Sequence, residues 1–583
     1  RYHYNFISGR VKADTVALLT VKAVYPDRVE TGLINITIKK SIPDPQVTIT
    51  APKIWDGRTP IELTPRITNL AALQKAGAAD VKIEWQVNPL STVKEILPGK
   101  LRLIGAQKSV MMEINVMVSN GGVVQQKYLS FPVKLPAKQP WLARKPEPDE
   151  KPEEGQFYAR DDNNEGTLHY NGVLTEKAEE VFLKVYADDK AYETLKAKPA
   201  KDLSYAFSAK LKAGFVKYRV EFGTRSGGKE TLLDQVGNLV CGDAFLIEGQ
   251  SNAEALDLPE ERKKPRETSE WIRTFGGPKN GEDGVAWVKS YEEKTQQAGG
   301  KRPSLWCKAV WAQQPPDYNA HIGWWGMELA KRLIESQKVP VCIINGALGG
   351  TRIDQHQRNP ENPADLTTIY GKWLWRLQQA RLTHGIRAIL WHQGENDQPA
   401  DTPTGDYGWV HYQSYFCEMA GGWYRDMPNA RRYVMFQIWP NSCAMGGSEG
   451  HGDRLREQQR ALPDLFANMS IMSTLGIKPP GGCHFPREGY DEFARLIHPV
   501  IERDVYGKKF EQPVTAPRMG GALWERQEIV LYFDQPVVWN DALLSQFYLD
   551  GEKDKLSSGR ALGNKIILTP KPRLHATRIS YLK

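Results

Sequence analysis

The sequence has few cysteines and none of the spacings that indicate a metal site. Six cysteines occur among 583 residues, all between Cys241 and Cys483, without a C-x-x-C pair or an H-E-x-x-H run. A structural zinc site is therefore not expected, and we predict neither a metal nor another cofactor. The six cysteines are compatible with buried thiols or with up to three disulfides, and their spacing does not choose between these.

Long apolar runs and a strong excess of one charge are also missing. Lys plus Arg number 77 and Asp plus Glu 69, and the basic residues form no block typical of nucleic-acid binding. No run approaches the roughly 20 apolar residues that a membrane helix requires. We therefore expect no nucleic-acid partner and no membrane span, while the oligomeric state is not predicted. No signal peptide is found at Arg1, so we interpret the chain as a mature or trimmed form.

The length exceeds what one hydrophobic core can organise and predicts several domains. Short strands separated by Pro and Gly dominate up to about residue 135, a pattern typical of β-sandwich modules. Residues 144–154 are charged and Pro-rich, which indicates an extended linker. The predicted domains are a partial immunoglobulin-like β-module at 1–45, an immunoglobulin-like β-module at 46–137, a linker at 138–155, a β-sandwich domain at 156–240, an α/β domain at 241–508 and a C-terminal β-module at 509–583.

After residue 240 the pattern changes to alternating strands and helices. Such alternation implies a mainly parallel sheet with helices on both faces. Because ligands bind at the carboxyl ends of parallel strands, the residues directly after each strand are candidate site residues. Strands are predicted at 244–247, 341–344, 386–391, 433–438 and 471–473, and helices at 325–336, 372–382, 412–424 and 487–503.

Four of these strand ends carry residues suited to chemistry. Ser251 follows the first strand, although taken alone it is better explained as a helix N-cap. A glycine-rich turn, 345–352, follows the second strand, polar residues 391–397 follow the third, and His484 lies after the last. Together they supply a nucleophile, a base and donors for an oxyanion, which are the requirements of acyl transfer.

The candidate roles follow from these positions. Ser251 is the predicted nucleophile and His484 the predicted base. The candidate oxyanion donors are the backbone N–H groups of Ser251 and of Gly349 or Gly350, together with an amide side chain from Gln393 or Asn396, with Gln393 ranked slightly higher.

Four sequence blocks carry a family resemblance. They are Gly-Gln-Ser-Asn at 249–252, Gly-Gly-Thr at 349–351, Trp-His-Gln-Gly-Glu at 391–395 and His-Phe-Pro at 484–486. These blocks resemble the SGNH (GDSL-like) hydrolase superfamily, in detail its sialate O-acetylesterase and carbohydrate-esterase branch. The resemblance covers about residues 240–506 and implies a three-layer α/β core with a mainly parallel sheet. Together with the β-sandwich modules predicted from the strand pattern, the expected fold is a multidomain protein in which N-terminal and C-terminal β-sandwich modules flank this core.

The resemblance implies a serine esterase that removes O-acetyl groups from carbohydrate, either polysaccharide or sialoside, through an acyl-enzyme. An acetylated glycan would be its substrate. With 17 Trp and 23 Tyr, the composition fits an exported protein, so we expect a secreted, periplasmic or cell-surface location. Trp391 is a candidate sugar-stacking residue, and Arg352 is a candidate contact for an acidic sugar unless it forms a structural ion pair.

One departure from the family concerns the acid that orients the base. The family has an Asp three residues before the catalytic His, and Gly481 stands at that position. Either the site works as a Ser-His dyad, or Glu395, Asp397 or Asp491 orients the imidazole. The alternative function is therefore a catalytically impaired carbohydrate-binding or scaffold protein with an SGNH-like core. An α/β-hydrolase is disfavoured, because in that fold several strands precede the nucleophile.

Overall fold

The structure is a computed structural model that describes most of the chain. The protein is multidomain and rich in β-sheet, and it divides into two compact units, Arg1–Ala137 and Lys138–Lys583. The first ten residues of the predicted module 1–45 lie outside the described residues. The described residues are 11–120, 124–258, 268–278, 280–297, 303–312, 320–399, 408–445, 451–479, 481–572 and 576–581.

The first unit consists mainly of antiparallel strands, as the spacing of Pro and Gly predicts. Strands β1 (Thr15–Val24) and β2 (Val29–Ile38) form a hairpin whose side chains are mostly exposed. The strands that follow bury alternate side chains, for example Met112 and Ile114, in a shared apolar core. These strands are β3 (Val47–Thr48), β4 (Ile61–Leu63), β5 (Arg66–Ile67), β6 (Lys82–Asn88), β7 (Val93–Leu97), β8 (Lys100–Gly105), β9 (Met111–Ser119) and β10 (Gln125–Pro132). One short helix, α1 (Leu70–Lys75), lies between β5 and β6.

The second unit begins with largely antiparallel strands. Tyr205, Phe207 and Leu211 alternate with exposed residues along one of them, because a strand turns successive side chains to opposite faces. The strands are β11 (Phe157–Ala159), β12 (Glu165–Val173), β13 (Glu180–Ala187), β14 (Lys190–Ala197), β15 (Ser204–Lys212), β16 (Gly214–Ser226) and β17 (Lys229–Gly249).

Strand β17 is 21 residues long and belongs to two kinds of pairing. Its first part pairs antiparallel with β16, whereas its last part pairs in parallel with two later strands. The predicted boundary between residues 240 and 241 therefore falls inside one continuous strand. The antiparallel strands and the parallel sheet are joined through this backbone and lie in the same compact unit.

The parallel sheet carries the predicted strand ends on one edge. Its strand order is β19-β18-β20-β17-β21-β22-β23, and every neighbouring pair is parallel except β18 with β19. The strands are β18 (Ile272–Phe275), β19 (Trp306–Lys308), β20 (Val341–Asn345), β21 (Ile386–His392), β22 (Arg432–Gln437) and β23 (Met469–Ser473). The sequence pattern missed β18 and β19, which are only four and three residues long.

Alternate residues of β17 enter different apolar clusters. Phe245 and Ile247 pack in a cluster with residues of α4 and α8, whereas Ala244 and Leu246 pack in one with residues of α5 and α6. Helix α5 begins before the predicted residue 372 because the Thr368 hydroxyl accepts a hydrogen bond from Gly371 N at 2.9 Å. The helices are α2 (Ser251–Glu254), α3 (Gly284–Gln297), α4 (Trp324–Gln337), α5 (Ile369–Gln379), α6 (Tyr412–Asp426), α7 (His451–Ala461) and α8 (Arg487–Asp504).

The C-terminal part forms two antiparallel sheets around a small apolar core. The four-stranded sheet has the order β24-β25-β28-β27, and β26 pairs with β29. The strands are β24 (Met519–Glu525), β25 (Glu528–Phe533), β26 (Phe547–Leu549), β27 (Leu556–Leu562), β28 (Lys565–Pro570) and β29 (Ile579–Tyr581).

A buried carboxylate holds the amino end of the parallel sheet. Asp243 in β17 is fully buried, and its oxygens accept hydrogen bonds from Arg160 at 2.8 and 2.6 Å, from Tyr506 at 2.8 Å and from Arg387. Burial by itself raises the pKa of Asp243, but Arg387 and Arg160 outweigh burial and hold the pKa below its usual value. The carboxylate therefore joins the segment after β11, strand β21 and the end of α8.

We predict that Asp243→Asn lowers the free energy of unfolding by about 3 kcal/mol or more, because two partly buried guanidinium groups lose their counter-ion. Since the folded pKa is depressed, this stabilisation is present above about pH 4 and is lost as the pH falls through the folded pKa. Urea unfolding followed by tryptophan fluorescence at several pH values measures the effect. Asp162→Asn, which breaks an exposed pair with Arg431, is the matched control. Equal stability of the two variants would contradict the prediction.

Candidate active site

Ser251 lies at the carboxyl end of β17, where the sheet edge opens into a cavity. Gly249 has φ of +132°, and a Cβ there would lie 2.1 Å from His392 O, so only glycine allows this approach to β21. Ser251 then begins the short helix α2. The His484 Nε2 atom lies 2.8 Å from the Ser251 Oγ atom, which is a hydrogen-bonding distance. The structure thus brings together the predicted nucleophile and the predicted base.

Asp257, which sequence reasoning did not consider, is an acid in contact with His484. Its Oδ2 atom contacts His484 Nδ1, on the opposite side of the ring from Ser251. Helix α2 ends at Glu254, the next residue, Ala255, has a left-handed φ of 50°, and the chain reaches Asp257 two residues after Ala255. The sequence signal was an acid six residues after the serine, but the family pattern drew attention to other positions.

Gly481, where the family has an Asp, is closed to a side chain. A Cβ at this position would lie 2.9 Å from the ring of Phe485, a contact that real side chains do not make. An acid could not occupy this position without moving that ring. The difference at residue 481 therefore accompanies a different source of the acid, on the loop after α2.

The two acids predicted most strongly to orient the base serve other groups. Glu395 accepts a hydrogen bond from Asn252 Nδ2 at 2.7 Å and lies 3.2 Å from His392 Nε2. Asp397 accepts hydrogen bonds from Gln393 Nε2 at 2.5 Å and from Ile353 N at 3.0 Å. Both carboxylates are buried behind the cavity rather than beside His484. Asp491, the third candidate, accepts a hydrogen bond from Trp324 Nε1 at 2.8 Å.

Asn252, next to the nucleophile, joins the loops of the site. Its Nδ2 atom donates to Glu395 and, at 3.0 Å, to the backbone oxygen of Cys483. Its Oδ1 atom accepts from the Tyr490 hydroxyl at 2.9 Å. Because Asn252 is 1% exposed, these bonds are shielded from water. The side chain thus connects the segment that carries Ser251 to the segment that carries Cys483 and His484, and to Glu395 just after β21.

The candidate oxyanion donors are only partly as predicted. Gly349 lies beside the nucleophile, since a Cβ there would be 3.4 Å from Ser251 Cβ. Its N–H, however, donates to Glu254 Oε2 at 3.1 Å. In the described part of the chain the N–H groups of Ser251 and Gly350 donate to no other group, which leaves them available to a ligand.

The predicted order of the two amide side chains is reversed. Gln393 is fully buried, and its Nε2 atom is engaged by Asp397, by Thr351 O at 3.1 Å and by Gln250 Oε1 at 3.2 Å. Asn396 instead lines the cavity. Its Oδ1 atom accepts from Gln250 Nε2 at 2.9 Å, so the Nδ2 group is the part of this side chain that can donate to a ligand.

The two predicted substrate contacts have structural surroundings. Trp391 is 1% exposed and donates through Nε1 to the Tyr412 hydroxyl at 3.2 Å, so a sugar cannot stack on it. Arg352 forms a bidentate pair with Asp354, at 2.9 and 3.0 Å. The ion-pair alternative for Arg352 therefore describes its environment.

A buried histidine lies behind the glycine-rich turn. The Thr351 hydroxyl donates to Leu348 O at 2.6 Å and so must accept the hydrogen of His356 Nε2, 2.8 Å away. Burial lowers the pKa of His356 to about 3 and raises that of Glu248 well above its usual value. The Glu248 Oε1 atom lies 2.6 Å from His356 Nδ1. Both shifts favour the neutral form of the side chain, and the line of contacts supports the turn from behind.

One disulfide forms a wall of the cavity. Cys443 is bonded to Cys483, directly before His484, while Cys241, Cys307, Cys342 and Cys417 remain thiols. The disulfide ties the histidine loop to the segment after β22. The cavity measures about 650 Å³ and is lined by Gln250, Ser251, Glu254, Leu256, Asp257, Ala312, Gly349, Gly350, Asn396, Cys443, Met445, Cys483 and His484.

Among the residues that the structure describes, no group of three or more His, Cys, Asp or Glu is arranged to hold a metal ion. Within those same ranges, no helix combines the length and apolar character needed to cross a bilayer.

The contacts from Asp257 through His484 to Ser251, at the carboxyl edge of a parallel sheet, have the geometry of a Ser-His-acid arrangement. Residues 242–413 match the family model described as carbohydrate esterase, sialic acid-specific acetylesterase. The resemblance predicted from the four sequence blocks is thereby confirmed for this segment. A comparison with curated proteins finds no match.

Solved structures add a likeness in fold. A carbohydrate acetylesterase from Xanthomonas citri is 20% identical with a TM-score of 0.50, and the alignment covers 74% of this chain and 92% of that chain. NanS is 13% identical, and a protein from Arabidopsis thaliana is 18% identical; each has a TM-score of 0.31 and covers 45% of this chain and 98% of its own. The first likeness shows the fold, and the other two are too low in TM-score to add to it.

The buried carboxylate of Asp397 makes a pH-dependent prediction. Burial raises the pKa of Asp397 to about 7, so the folded state holds a proton that the unfolded state releases near pH 4. Stability from this group therefore falls as the pH rises from about 4 to about 7 and then stays level. Asp397→Asn removes the titration, so the melting temperature of the variant relative to the wild type should rise between pH 5 and pH 8. A difference that is constant with pH would contradict this.

Proposed function

We propose that this protein is a serine esterase that removes O-acetyl groups from carbohydrate through an acyl-enzyme. The observation that carries the proposal is the line of contacts from Asp257 through His484 to Ser251 at the edge of a 650 Å³ cavity. The match of residues 242–413 to the acetylesterase family model supports the choice of an acetyl ester and a sugar.

In the proposed mechanism, the Ser251 hydroxyl attacks the acetyl carbonyl carbon while its proton passes to His484 Nε2. The carboxylate of Asp257 holds the ring orientation and stabilises the imidazolium that forms. The developing oxyanion would accept hydrogen bonds from the N–H groups of Ser251 and Gly350 and from Asn396 Nδ2. The bond between the carbonyl carbon and the sugar oxygen then breaks, and His484 returns the proton to that oxygen.

Water completes the proposed reaction. His484 removes a proton from a water molecule, whose oxygen attacks the acetyl-serine ester. The second tetrahedral intermediate uses the same oxyanion donors, and its collapse releases acetate and restores the Ser251 hydroxyl.

We propose a three-layer α/β core, supported by the two apolar clusters on alternate residues of β17, flanked by the predicted β-sandwich modules. We also propose an exported protein, because a disulfide at the cavity wall would not persist in a reducing compartment. The alternative, an impaired binding protein, was favoured by the missing acid at Gly481, and the contact between Asp257 and His484 removes that reason.

The nucleophile is tested by Ser251→Ala. We expect the wild type to hydrolyse p-nitrophenyl acetate and to release acetate from acetylated xylan, pectin or sialosides, and the variant to lose at least about 1,000-fold in kcat. The melting temperature should be nearly unchanged, and Ser557→Ala, which alters an exposed serine in β27, is the matched control. A folded wild type without activity on any of these substrates, or an active Ser251→Ala, would refute the esterase.

The role of Asp257 is tested by Asp257→Asn, which keeps the shape of the side chain and removes its charge. We expect kcat to fall roughly 100-fold or more, because the imidazolium loses its counter-charge and the ring its orientation. Asp491→Asn tests the alternative acid and should reduce kcat far less. Wild-type activity in Asp257→Asn, or the larger loss in Asp491→Asn, would show that Asp257 does not orient His484.

A further inference from the structure

The turn from Leu348 to Thr351 must hold a precise conformation although two glycines form its centre. Gly350, with φ of +73°, carries an N–H that is a candidate oxyanion donor. Glycine adopts many backbone conformations at low cost, so a peptide unit between such residues can rotate easily. A rotated peptide would turn its N–H away from the cavity. Some other contact has to set the peptide planes of this turn.

One peptide unit in the turn is anchored at both ends. The unit between Leu348 and Gly349 contains the Leu348 carbonyl, which accepts from the Thr351 hydroxyl at 2.6 Å. It also contains the Gly349 N–H, which donates to Glu254 Oε2 at 3.1 Å. The two groups lie in the same peptide plane and point in opposite directions within it. Rotation of this unit would break both bonds, so the pair fixes the peptide plane that precedes Gly349 and thereby restrains the next unit, which carries the Gly350 N–H.

The two anchors differ in what they connect. Thr351 is held from behind by His356 and Glu248, which are buried. Glu254 ends the short helix that begins with Ser251, so its carboxylate links the turn directly to the nucleophile's own helix. A hydrogen bond to a carboxylate is stronger than one between neutral groups. Glu254 therefore links the position of the turn from Leu348 to Thr351 to the position of Ser251.

We propose that Glu254 is a positioning residue, which orients the Gly349-Gly350 turn so that the Gly350 N–H can stabilise the oxyanion. The inference rests on the proposed esterase function. Glu254 acts through the backbone of the turn and does not exchange a proton with the substrate. Its removal affects the transition state more than the bound substrate, because the oxyanion develops only after Ser251 attacks.

The opposite role would have the opposite sign. A carboxylate on the Gly349 N–H could compete with the oxyanion for that donor, and in that case removing the charge would raise kcat. Glu254→Ala and Glu254→Gln separate the two roles. Glutamine keeps an oxygen that accepts the Gly349 N–H and loses only the charge, whereas alanine loses the contact.

The experiment measures kcat and KM for p-nitrophenyl acetate in both variants. We expect Glu254→Ala to lower kcat about 10- to 100-fold with KM within about twofold, the scale of a weakened oxyanion donor. Glu254→Gln should recover most of that loss. Glu293→Ala, an exposed change in α3, is the matched control for removing a glutamate. A merely structural role would change the melting temperature of Glu254→Ala without this split between kcat and KM.

A second variant keeps the inference testable if Glu254→Ala does not fold. Thr351→Val removes the other anchor at nearly constant volume, and we expect it to lower kcat in the same way. Unchanged or raised kcat in Glu254→Ala, raised kcat in Glu254→Gln, or unchanged kcat in Thr351→Val would overturn the role of the anchored peptide. An inactive wild type, or an active Ser251→Ala, would instead overturn the esterase itself.

Discussion

The hydrogen bonds of Asn252 are the interaction on which the geometry of the site depends. A single buried amide binds Glu395 at the end of β21, the backbone of Cys483 and the hydroxyl of Tyr490 in α8. These groups are far apart in the sequence, and no apolar contact would fix their relative positions so closely. Because each bond is shielded from water, breaking any of them leaves a buried polar group unpaired. The nucleophile and the base are therefore held in register by a residue that takes no part in the proposed chemistry.

The polar groups around the cavity differ in their exposure to solvent. The Asp257 carboxylate contacts His484 at the cavity, where its side chain is 51% exposed. Glu248 and His356, by contrast, are buried, and their shifted pKa values make a neutral pair that supports the glycine-rich turn. Burying a charge is costly and burying a neutral hydrogen-bonded chain is not. The contact between Asp257 and His484 thus lies near solvent, while burial favours the neutral forms of Glu248 and His356 behind the glycine-rich turn.

Sequence reasoning did not predict helices α3 and α7. It predicted five of the parallel strands, helices α4, α5, α6 and α8, and the meeting of Ser251 with His484, because buried strands and amphipathic helices have strong periodicity. It missed β18 and β19, which are too short to show any. It ranked Gln393 above Asn396, although residue type cannot tell which of two nearby amides faces a cavity. It also looked for the acid at Glu395 and Asp397, and did not consider a loop only six residues beyond the serine.

From the sequence alone, the order of the five predicted parallel strands and the four predicted helices could be derived. The sequence also placed a glycine, Gly249, where the backbone turns before Ser251, and supplied the residue types able to transfer an acyl group. Those properties depend on local periodicity, on backbone freedom and on the chemistry of each side chain. Only the tertiary structure decided which acid contacts His484, which amide lines the cavity and which cysteines join. Each of these depends on distances between segments that are remote in the sequence, and the pattern of apolar and polar residues does not give those distances. Asp257 reaches the imidazole because a left-handed residue, Ala255, ends the helix there.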